Sequence, residues 1–397
     1  MRHFGFLTEG ERARIFAVAP GEVGPSAPDA VRAVALGATV YSPGTRPALE
    51  MDARRLAGIG ATSHVWCLED AIGPADVPHA EAGVVAALRR LDADEQPVPA
   101  LFVRVREAGQ LSRVVEAAGG AARALSGVVL PKFGAESERE LDELAACSER
   151  LGVGLLAMPV LETPELAWME TRRPLLEKLR RLVDAHREQV LAMRVGGSDL
   201  SGLFGLRRAA ATTIWEVAVV RDALADILNV FARCGEHVVS GPVWEHLPTP
   251  GGLFRPRLRI TPFRGRRALE LRDELLAESD DELLREVAQD MANGMTGKTV
   301  IHPAHVGLVN AMLCVRADEH ADAVAVTAAG RDAGAARRGG GTTMTEAGPH
   351  ALWAELVLRR AAVYGVLAAD DSVIELIAAG RAAVARAFPA GSPAVAP

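Results

Sequence analysis

Leu155-Leu-Ala-Met-Pro-Val-Leu161 is an apolar run that ends directly in Glu162. Val190-Leu-Ala-Met-Arg-Val195 ends in the same way, in Gly-Gly-Ser-Asp199, and Thr299-Val-Ile-His302 closes a third short run. In a barrel of parallel strands, catalytic and metal-binding side chains follow the ends of the strands. These stretches therefore predict both a fold and the place where its chemistry occurs.

Strand-like runs alternate with helical patterns from about residue 35 onward, which predicts parallel strands joined by crossover helices. The eight expected strands are Ala38–Ser42, His64–Leu68, Ala100–Val105, Gly127–Leu130, Gly154–Val160, Val190–Val195, Glu236–Ser240 and Thr299–His302. No Gly-x-Gly-x-x-Gly turn follows the first strand, which argues against an open dinucleotide-binding sheet. The predicted fold class is α/β, a (β/α)8 TIM barrel with a C-terminal helical extension.

The predicted organisation has four parts along the chain. An N-terminal extension (1–34) precedes a barrel (35–325) that carries a proline- and arginine-rich insertion near 245–268. Glycines and arginines between 326 and 348 predict a flexible linker, and 349–397 is expected to form the helical extension. An insertion after a barrel strand is a frequent position for a loop that covers an active site.

The composition limits the classes of partner. A net charge of −7 argues against a nucleic-acid-binding protein. No apolar run approaches the ~18–20 residues of a membrane span, and the N-terminus lacks the apolar stretch of a secretory signal. The four cysteines have no C-x-x-C spacing, so a reduced, cytoplasmic protein without a zinc site is expected.

Two carboxylates are the candidate metal ligands, because Glu162 and Asp199 each follow an apolar strand. One or two carboxylates together with waters and a substrate oxygen usually hold Mg²⁺. The alternative is that these acids only cap the following helix, and Glu-Thr-Pro does resemble a helix start. Beside them, Gly197 and Ser198 are expected to contact the substrate.

Charged residues after the neighbouring strands are the candidate catalytic groups. Glu69 and Asp70 could support a metal or a base, or could stabilise a helix start. Arg104 lies within an apolar strand and needs a carboxylate or an anionic substrate if it is buried. Lys132 could form a Schiff base or, as we favour, act by its charge. His302 could be an acid–base group or a packed residue.

The turn Tyr41-Ser-Pro43-Gly44-Thr-Arg46 after the first strand offers hydroxyls, backbone N–H groups and a guanidinium. It is therefore a candidate cradle for a substrate carboxylate or phosphate.

These motifs, in order, resemble the citrate lyase β-subunit-like group of the malyl-thioester lyase and aldolase superfamily. The ordered matches are Tyr-Ser-Pro-Gly-Thr-Arg-Pro, Leu-Glu-Asp-Ala, Val-Arg-Val, Val-Leu-Pro-Lys, Glu-Thr-Pro, Gly-Ser-Asp-Leu and Gly-Lys-Thr-Val-Ile-His-Pro, over about 35–315. The resemblance implies a trimeric or hexameric barrel that uses Mg²⁺, or Mn²⁺, to stabilise an enolate during C–C cleavage. It further implies Glu162 and Asp199 as metal ligands, Arg104 facing the substrate, and Glu69 and Asp70 as supporting acids.

Several positions depart from the family pattern. Cys67 replaces an acid, Arg106 stands where asparagine is common, and Thr342–Trp353 replaces an Asp-Gly…Asp-x-Pro segment. The long N-terminus, the arginine-rich insertion and the Gly-Pro-His-Ala-Leu-Trp-Ala-Glu ending look closer to the divergent C–C lyase-like barrels of bacterial tellurium-resistance gene clusters. We therefore expect a Mg²⁺-dependent lyase or aldolase for a small 2-oxo or hydroxy acid. The alternatives are a lyase or hydrolase of a coenzyme A thioester, and a non-catalytic scaffold.

Overall fold

A computed structural model of the chain describes residues 2–94, 96–247, 278–330, 335–337 and 344–389. Its centre is a closed barrel of eight parallel strands. These strands are β2 (Ala38–Pro43), β3 (Ser63–Cys67), β4 (Ala100–Arg104), β5 (Leu125–Leu130), β6 (Leu156–Leu161), β7 (Met193–Val195), β8 (Val239–Trp244) and β9 (Lys298–Val300). The predicted TIM barrel is therefore confirmed, and each expected strand overlaps one strand of the barrel.

The barrel closes through its first and last strands, because β2 pairs with both β3 and β9 in parallel register. All eight carboxyl ends therefore meet at one rim. Every strand differs from the prediction by at least one residue at an end, and two differ most. β8 begins at Val239 and continues through Gly241 and Pro242, two residue types that usually weaken a strand. The regular part of β7 begins only at Met193.

Helices surround the barrel and cover the outer faces of its strands. In chain order they are α3 (Leu49–Gly58), α4 (Val77–Asp92), α5 (Gln110–Ala118), α6 (Glu138–Leu151), α7 (Pro164–Ala167), α8 (Met169–Ala185), α9 (Gly197–Gly202), α10 (Ala218–Phe231), α11 (Glu278–Ala292) and α12 (Ala304–Leu313). Helix α6 shows why they form: Leu141, Leu144, Cys147 and Leu151 recur on one face and are buried. Gly152 then ends it with φ of 67°.

The two ends of the chain meet beneath the barrel. The N-terminal segment contains α1 (Glu9–Ile15), β1 (Phe16–Val18) and α2 (Asp29–Val34). The C-terminal segment contains α13 (Ala317–Ala329), β10 (Ala335–Arg337), β11 (Met344–Glu346), α14 (Ala347–Tyr364), β12 (Val366–Leu367) and α15 (Ser372–Ala387). β1 pairs antiparallel with β12, and the Tyr364 hydroxyl donates to the Val34 carbonyl at 2.6 Å. The N-terminal and C-terminal segments therefore contact each other directly.

Part of the predicted linker has regular structure. Helix α13 continues to Ala329, and β10 pairs antiparallel with β11. Residues 331–334 and 338–343 lie outside the described residues, as does 248–268 of the predicted insertion. None of the helices in the described part of the chain combines the length and apolar character that a bilayer crossing requires.

Candidate active site

A cavity of about 270 Å³ lies at the rim where the strands end. Six of the predicted site residues line it, namely Tyr41, Asp70, Arg104, Glu162, Ser198 and Asp199. The further lining residues are Ala71, Val160, Arg194, Val195, Gly196, Val243, Thr299 and Ile301. The cavity therefore brings together side chains from most of the barrel strands.

The alternation of side chains along each strand decides which residues reach the cavity. In β4, Leu101 and Val103 pack against the outer helices, so that Phe102 fills the barrel interior and Arg104 points into the cavity. The same rule applies in β6, where Leu156, Met158 and Val160 face inward. Glu162, two residues after Val160, points in the same direction and lines the cavity. In both strands, the inward-facing apolar side chains are therefore followed by a charged side chain at the cavity.

Glu162 and Asp199 form the acidic part of the cavity. Glu162 is only 4% exposed, and its Oε1 accepts a hydrogen bond from the Lys132 backbone N–H at 2.9 Å. Burial, followed by the negative charge of Asp199, raises the pKa of Glu162 to about 7. Within the described part of the chain, no basic side chain forms an ion pair with either carboxylate, and no group of three metal-binding side chains occurs.

Arg104 is held in place by residues of β3 and of the loop after it. Its Nε donates to the Cys67 sulfur at 3.1 Å, and its Nη2 lies 3.1 Å from Glu69 Oε2. Burial acts to lower the pKa of Arg104, but Cys67, Tyr41 and Glu69 outweigh it and raise the pKa. The guanidinium also lies over the Tyr41 ring, 5.6 Å from its centroid. Cys67 therefore contacts the predicted substrate-binding arginine directly.

Lys132 is an electrostatic partner of the acids after β3. Its Nζ contacts Glu69 and lies 3.3 Å from Asp70 Oδ2. Burial acts to lower the pKa of Lys132, but the hydrogen bond and charge of Glu69 outweigh it, with help from Asp70, and raise the pKa. A Schiff-base lysine needs the opposite shift, so these contacts favour the charge role. Glu69 itself is buried and is not among the residues that line the cavity.

Asp70 lines the cavity from the loop after β3. Burial acts to raise the pKa of Asp70, but hydrogen bonding with Glu69 and the charges of Lys132 and Arg104 lower it overall. Asp70 is therefore ionised at neutral pH and can act as an acceptor for water or for a substrate hydroxyl.

Three residues of the predicted anion cradle after β2, namely Pro43, Gly44 and Arg46, are not among the residues that line the cavity. The Gly44 N–H donates to the Cys67 carbonyl at 2.8 Å, which folds the turn over β3. Arg46 pairs with Asp52 of α3 at 2.6 Å. Only Tyr41 of this motif contributes to the cavity.

Two further predicted residues also lie away from the cavity. His302 follows Val300, whose side chain packs outside the barrel, and the alternation places His302 outside as well. Its Nδ1 accepts a hydrogen bond from the Ala304 N–H at 3.2 Å, near the start of α12. Gly197 is buried, and a Cβ built on it would lie 3.0 Å from Pro242 Cβ. The two residues have packing positions rather than catalytic ones.

Two of the cavity residues outside the predicted site have polar side chains, Arg194 and Thr299. Arg194 lies between Met193 and Val195, which both pack outward, so its guanidinium projects inward. Thr299 reaches the cavity from β9 by the same alternation. The signal was available, because a charged residue between two apolar ones in a barrel strand points into the interior.

Behind the cavity, Ser198 begins a buried network of charges. Its hydroxyl donates to Glu245, whose other oxygen lies 3.1 Å from Arg208 Nε. Arg208 also pairs with Glu286, which lies 2.7 Å from Lys298 Nζ. The network connects α9, which carries Asp199, to helix α11 and strand β9.

Three solved structures show what this chain resembles in three dimensions. CitE from Mycobacterium tuberculosis, in complex with magnesium, acetoacetate and coenzyme A, is 22% identical, covering 82% of this chain and 97% of that chain, with a TM-score of 0.51. A citrate lyase from Burkholderia xenovorans is 17% identical, covering 85% and 95%, with a TM-score of 0.59. Haloferax volcanii malate synthase, as a pyruvate/acetyl-CoA ternary complex, is 14% identical, covering 81% and 90%, with a TM-score of 0.50.

These three structures share the barrel fold with this chain. The family is shown by a comparison of sequences. A comparison with curated proteins gives no match. The model of the C–C bond lyase family of the TIM-barrel fold matches residues 30–366. The resemblance inferred from the ordered motifs is thereby confirmed. The chain belongs to the C–C bond lyase family of TIM-barrel proteins and is a carbon–carbon lyase.

Proposed function

We propose that this lyase is Mg²⁺-dependent and cleaves a small 2-oxo or hydroxy acid. The observation that carries this proposal is the pair Glu162 and Asp199, two carboxylates that face one cavity together with Arg104. Mn²⁺ would suit the same oxygen ligands. The Mycobacterium tuberculosis CitE complex contains magnesium, which supports the choice of metal.

The two carboxylates fit a hard divalent cation. Burying a carboxylate without a cationic partner disfavours its charged form, and the pKa of Glu162 is raised mainly for this reason. Mg²⁺ is commonly held by one or two carboxylates, with waters and substrate oxygens completing its octahedron. Glu162 and Asp199 would hold the ion, and Asp70 lies on the same cavity as an acceptor for its waters. When bound, the cation supplies positive charge that polarises a substrate oxygen.

The protein's own side chains orient the substrate. In aldol-type cleavage, a hydroxyl proton leaves to a base while the electron pair of the broken C–C bond passes to the departing fragment as an enolate. Arg104 is fixed by Cys67 and Glu69, so its remaining N–H donors are directed at the cavity without reorganisation. Lys132 in turn neutralises Glu69. Arg104 would therefore bind a carboxylate or the developing negative charge.

Binding of a nucleotide-bearing thioester in the arginine-rich stretch 253–267 would support the coenzyme A alternative, and that stretch lies outside the described residues. It stays a prediction, as do the homo-oligomeric state and the cytoplasmic location. The scaffold alternative does not fit a member of a lyase family whose two candidate ligands and Arg104 share one cavity.

Isothermal titration of the metal-free protein with Mg²⁺ tests the proposal. We expect saturable binding that is strengthened by oxaloacetate, pyruvate or glyoxylate, because such acids supply further oxygen ligands. Asp199→Asn should weaken Mg²⁺ binding by about 100-fold, while Asp222→Asn, an exposed acid on α10, should leave it unchanged. Equal Mg²⁺ binding by wild type and Asp199→Asn would contradict the assignment.

The affinity for Mg²⁺ is expected to depend on pH through Glu162. Because its pKa is raised to about 7, Mg²⁺ must displace a proton below that pH, and the apparent affinity should rise by up to about tenfold per pH unit before levelling above pH 7. In the metal-free protein the folded state binds this proton more tightly than the unfolded state. Stability should therefore fall as the pH rises from about 4.5 to about 7.

The matched control for this pH dependence is Glu162→Gln without metal. The stability of wild type minus that of this variant isolates the contribution of Glu162 from those of other acids. A difference that does not change between pH 4.5 and 7 would show that Glu162 titrates normally.

A further inference from the structure

Arg194 is a buried cation at the floor of the cavity. Its side chain comes from β7, lines the cavity, and belongs to a residue that is 2% exposed. Strand β7 ends only one residue later, immediately before the Gly-Gly-Ser-Asp199 segment, so Arg194 lies deeper in the barrel than Asp199. One cavity therefore contains paired carboxylates near its mouth and a guanidinium beneath them.

The contacts of Arg194 are all neutral. Its Nη1 lies 3.2 Å from Thr39 Oγ1 and 3.8 Å from Met158 Sδ, and its Nη2 donates to Thr299 Oγ1. The guanidinium carbon lies over the Tyr41 ring, 5.5 Å from the centroid. In the described part of the chain, no carboxylate lies within ion-pair distance of it.

The other buried arginines differ from Arg194 in this respect. Arg208 pairs with Glu245 and Glu286, and Arg172 pairs with Asp226. Removing a charge from water without a partner costs several kcal/mol, and arginine does not lose its proton at physiological pH. Burial lowers the pKa of Arg194, which expresses the same cost. A position so unfavourable in the empty protein is suited to an anion that arrives with the substrate.

We propose that Arg194, with Thr39, Tyr41 and Thr299, binds a second carboxylate of the substrate, which is therefore a short dicarboxylic acid. This inference rests on the proposed function, in which Glu162, Asp199 and Arg104 act on the other end of the molecule. The planar fork of arginine matches a carboxylate in two parallel hydrogen bonds. The cavity is smaller than the ~300–1,000 Å³ of pockets for drug-sized ligands, which suits a molecule of a few carbons.

The test compares acids that differ by one carboxylate. Malonate and succinate are titrated into the wild-type protein with Mg²⁺ present, against acetate and propionate. At least one diacid should bind about tenfold or more tightly than its matched monoacid. Arg194→Met should bring that ratio close to one, and Arg194→Lys, which keeps the charge but loses the fork, should give an intermediate ratio.

A stability measurement separates this role from a structural one. Arg194→Met removes a buried charge that has no carboxylate partner among the described residues, so the Tm of the ligand-free protein should stay unchanged or rise. Arg208→Met is the matched control, because it removes a buried arginine that does have carboxylate partners, and its Tm should fall. A fall in Tm for Arg194→Met comparable to that of Arg208→Met would overturn the proposal.

The proposal is also overturned if neither diacid binds saturably, if diacid and monoacid bind equally, or if the preference survives Arg194→Met. The Mg²⁺ titration is read separately and should be the same for Arg194→Met as for wild type. A protein that prefers the diacid but does not bind Mg²⁺ would contradict the proposed function and support the subsite. Normal Mg²⁺ binding without a diacid preference would contradict the subsite alone.

Discussion

A single methyl group added at position 196 should strongly weaken metal binding. A Cβ built on Gly196 would overlap the Cβ and Oε2 atoms of Glu162 and lie 2.9 Å from its Cδ. Rotation of the Glu162 side chain cannot relieve an overlap with its own Cβ, so β6 and β7 must separate where both ligands begin. We expect Gly196→Ala to weaken Mg²⁺ binding about 100-fold or more in isothermal titration, since small displacements of ligands have effects of this size.

Gly202→Ala is the matched control for this experiment. Gly202 ends the same helix α9 that carries Asp199, and a Cβ built on it would meet no atom within 4 Å. Its Mg²⁺ affinity should equal that of wild type. Near-normal binding by Gly196→Ala, in a protein whose circular dichroism is unchanged, would show that Glu162 is not a ligand in this conformation.

Replacement of Lys298 should have the largest effect on stability. Its side chain is fully buried outside the barrel, with Nζ 2.7 Å from Glu286 Oε1 and 2.8 Å from Asp290 Oδ2. Lys298→Met leaves two buried carboxylates whose other partners are Arg208 and the Ile214 N–H for Glu286 and the Trp215 N–H for Asp290. Breaking a buried ion pair from one side typically costs about 3–5 kcal/mol, and we expect a loss of that size in urea unfolding.

Two variants make this prediction specific. Lys178→Met removes an exposed lysine that lies 3.6 Å from Glu136, and its effect should stay below about 1 kcal/mol. Adding Asp290→Leu to Lys298→Met should restore part of the stability, because it removes one uncompensated charge. An effect of Lys298→Met no larger than that of Lys178→Met would show that water or local rearrangement compensates the lost ion pair.

The barrel was predictable because each strand is a short apolar run that carries its own signal. The strand ends differ from the prediction by a few residues, and the largest differences are in β8 and β7. Gly241 and Pro242 weaken a strand locally, yet β8 continues through them because β9 pairs alongside, from Gly241 to Trp244. In β7, the regular strand begins at Met193, although the apolar run in the sequence begins at Val190.

The site was predictable to the extent that strand ends and side-chain alternation determine it. Glu162, Asp199 and Arg104 were expected at the rim and do line one cavity. Their roles as metal ligands and substrate-binding arginine remain proposals. The same alternation, applied to β9 and β7, would have placed His302 outside the barrel and Arg194 inside it.

The sequence alone determines which side of the barrel wall a strand residue faces, because side chains alternate with a period of two along the strand. The pairing of charges is different, because it depends on neighbours that are remote in sequence. Arg46, which was expected to bind an anion of the substrate, forms an ion pair with Asp52 on another element, while Arg194 contacts Thr39, 155 positions away, and no described carboxylate. A charge in water needs no partner, whereas a buried charge does, and only the closed barrel decides which charges are buried and what lies beside them.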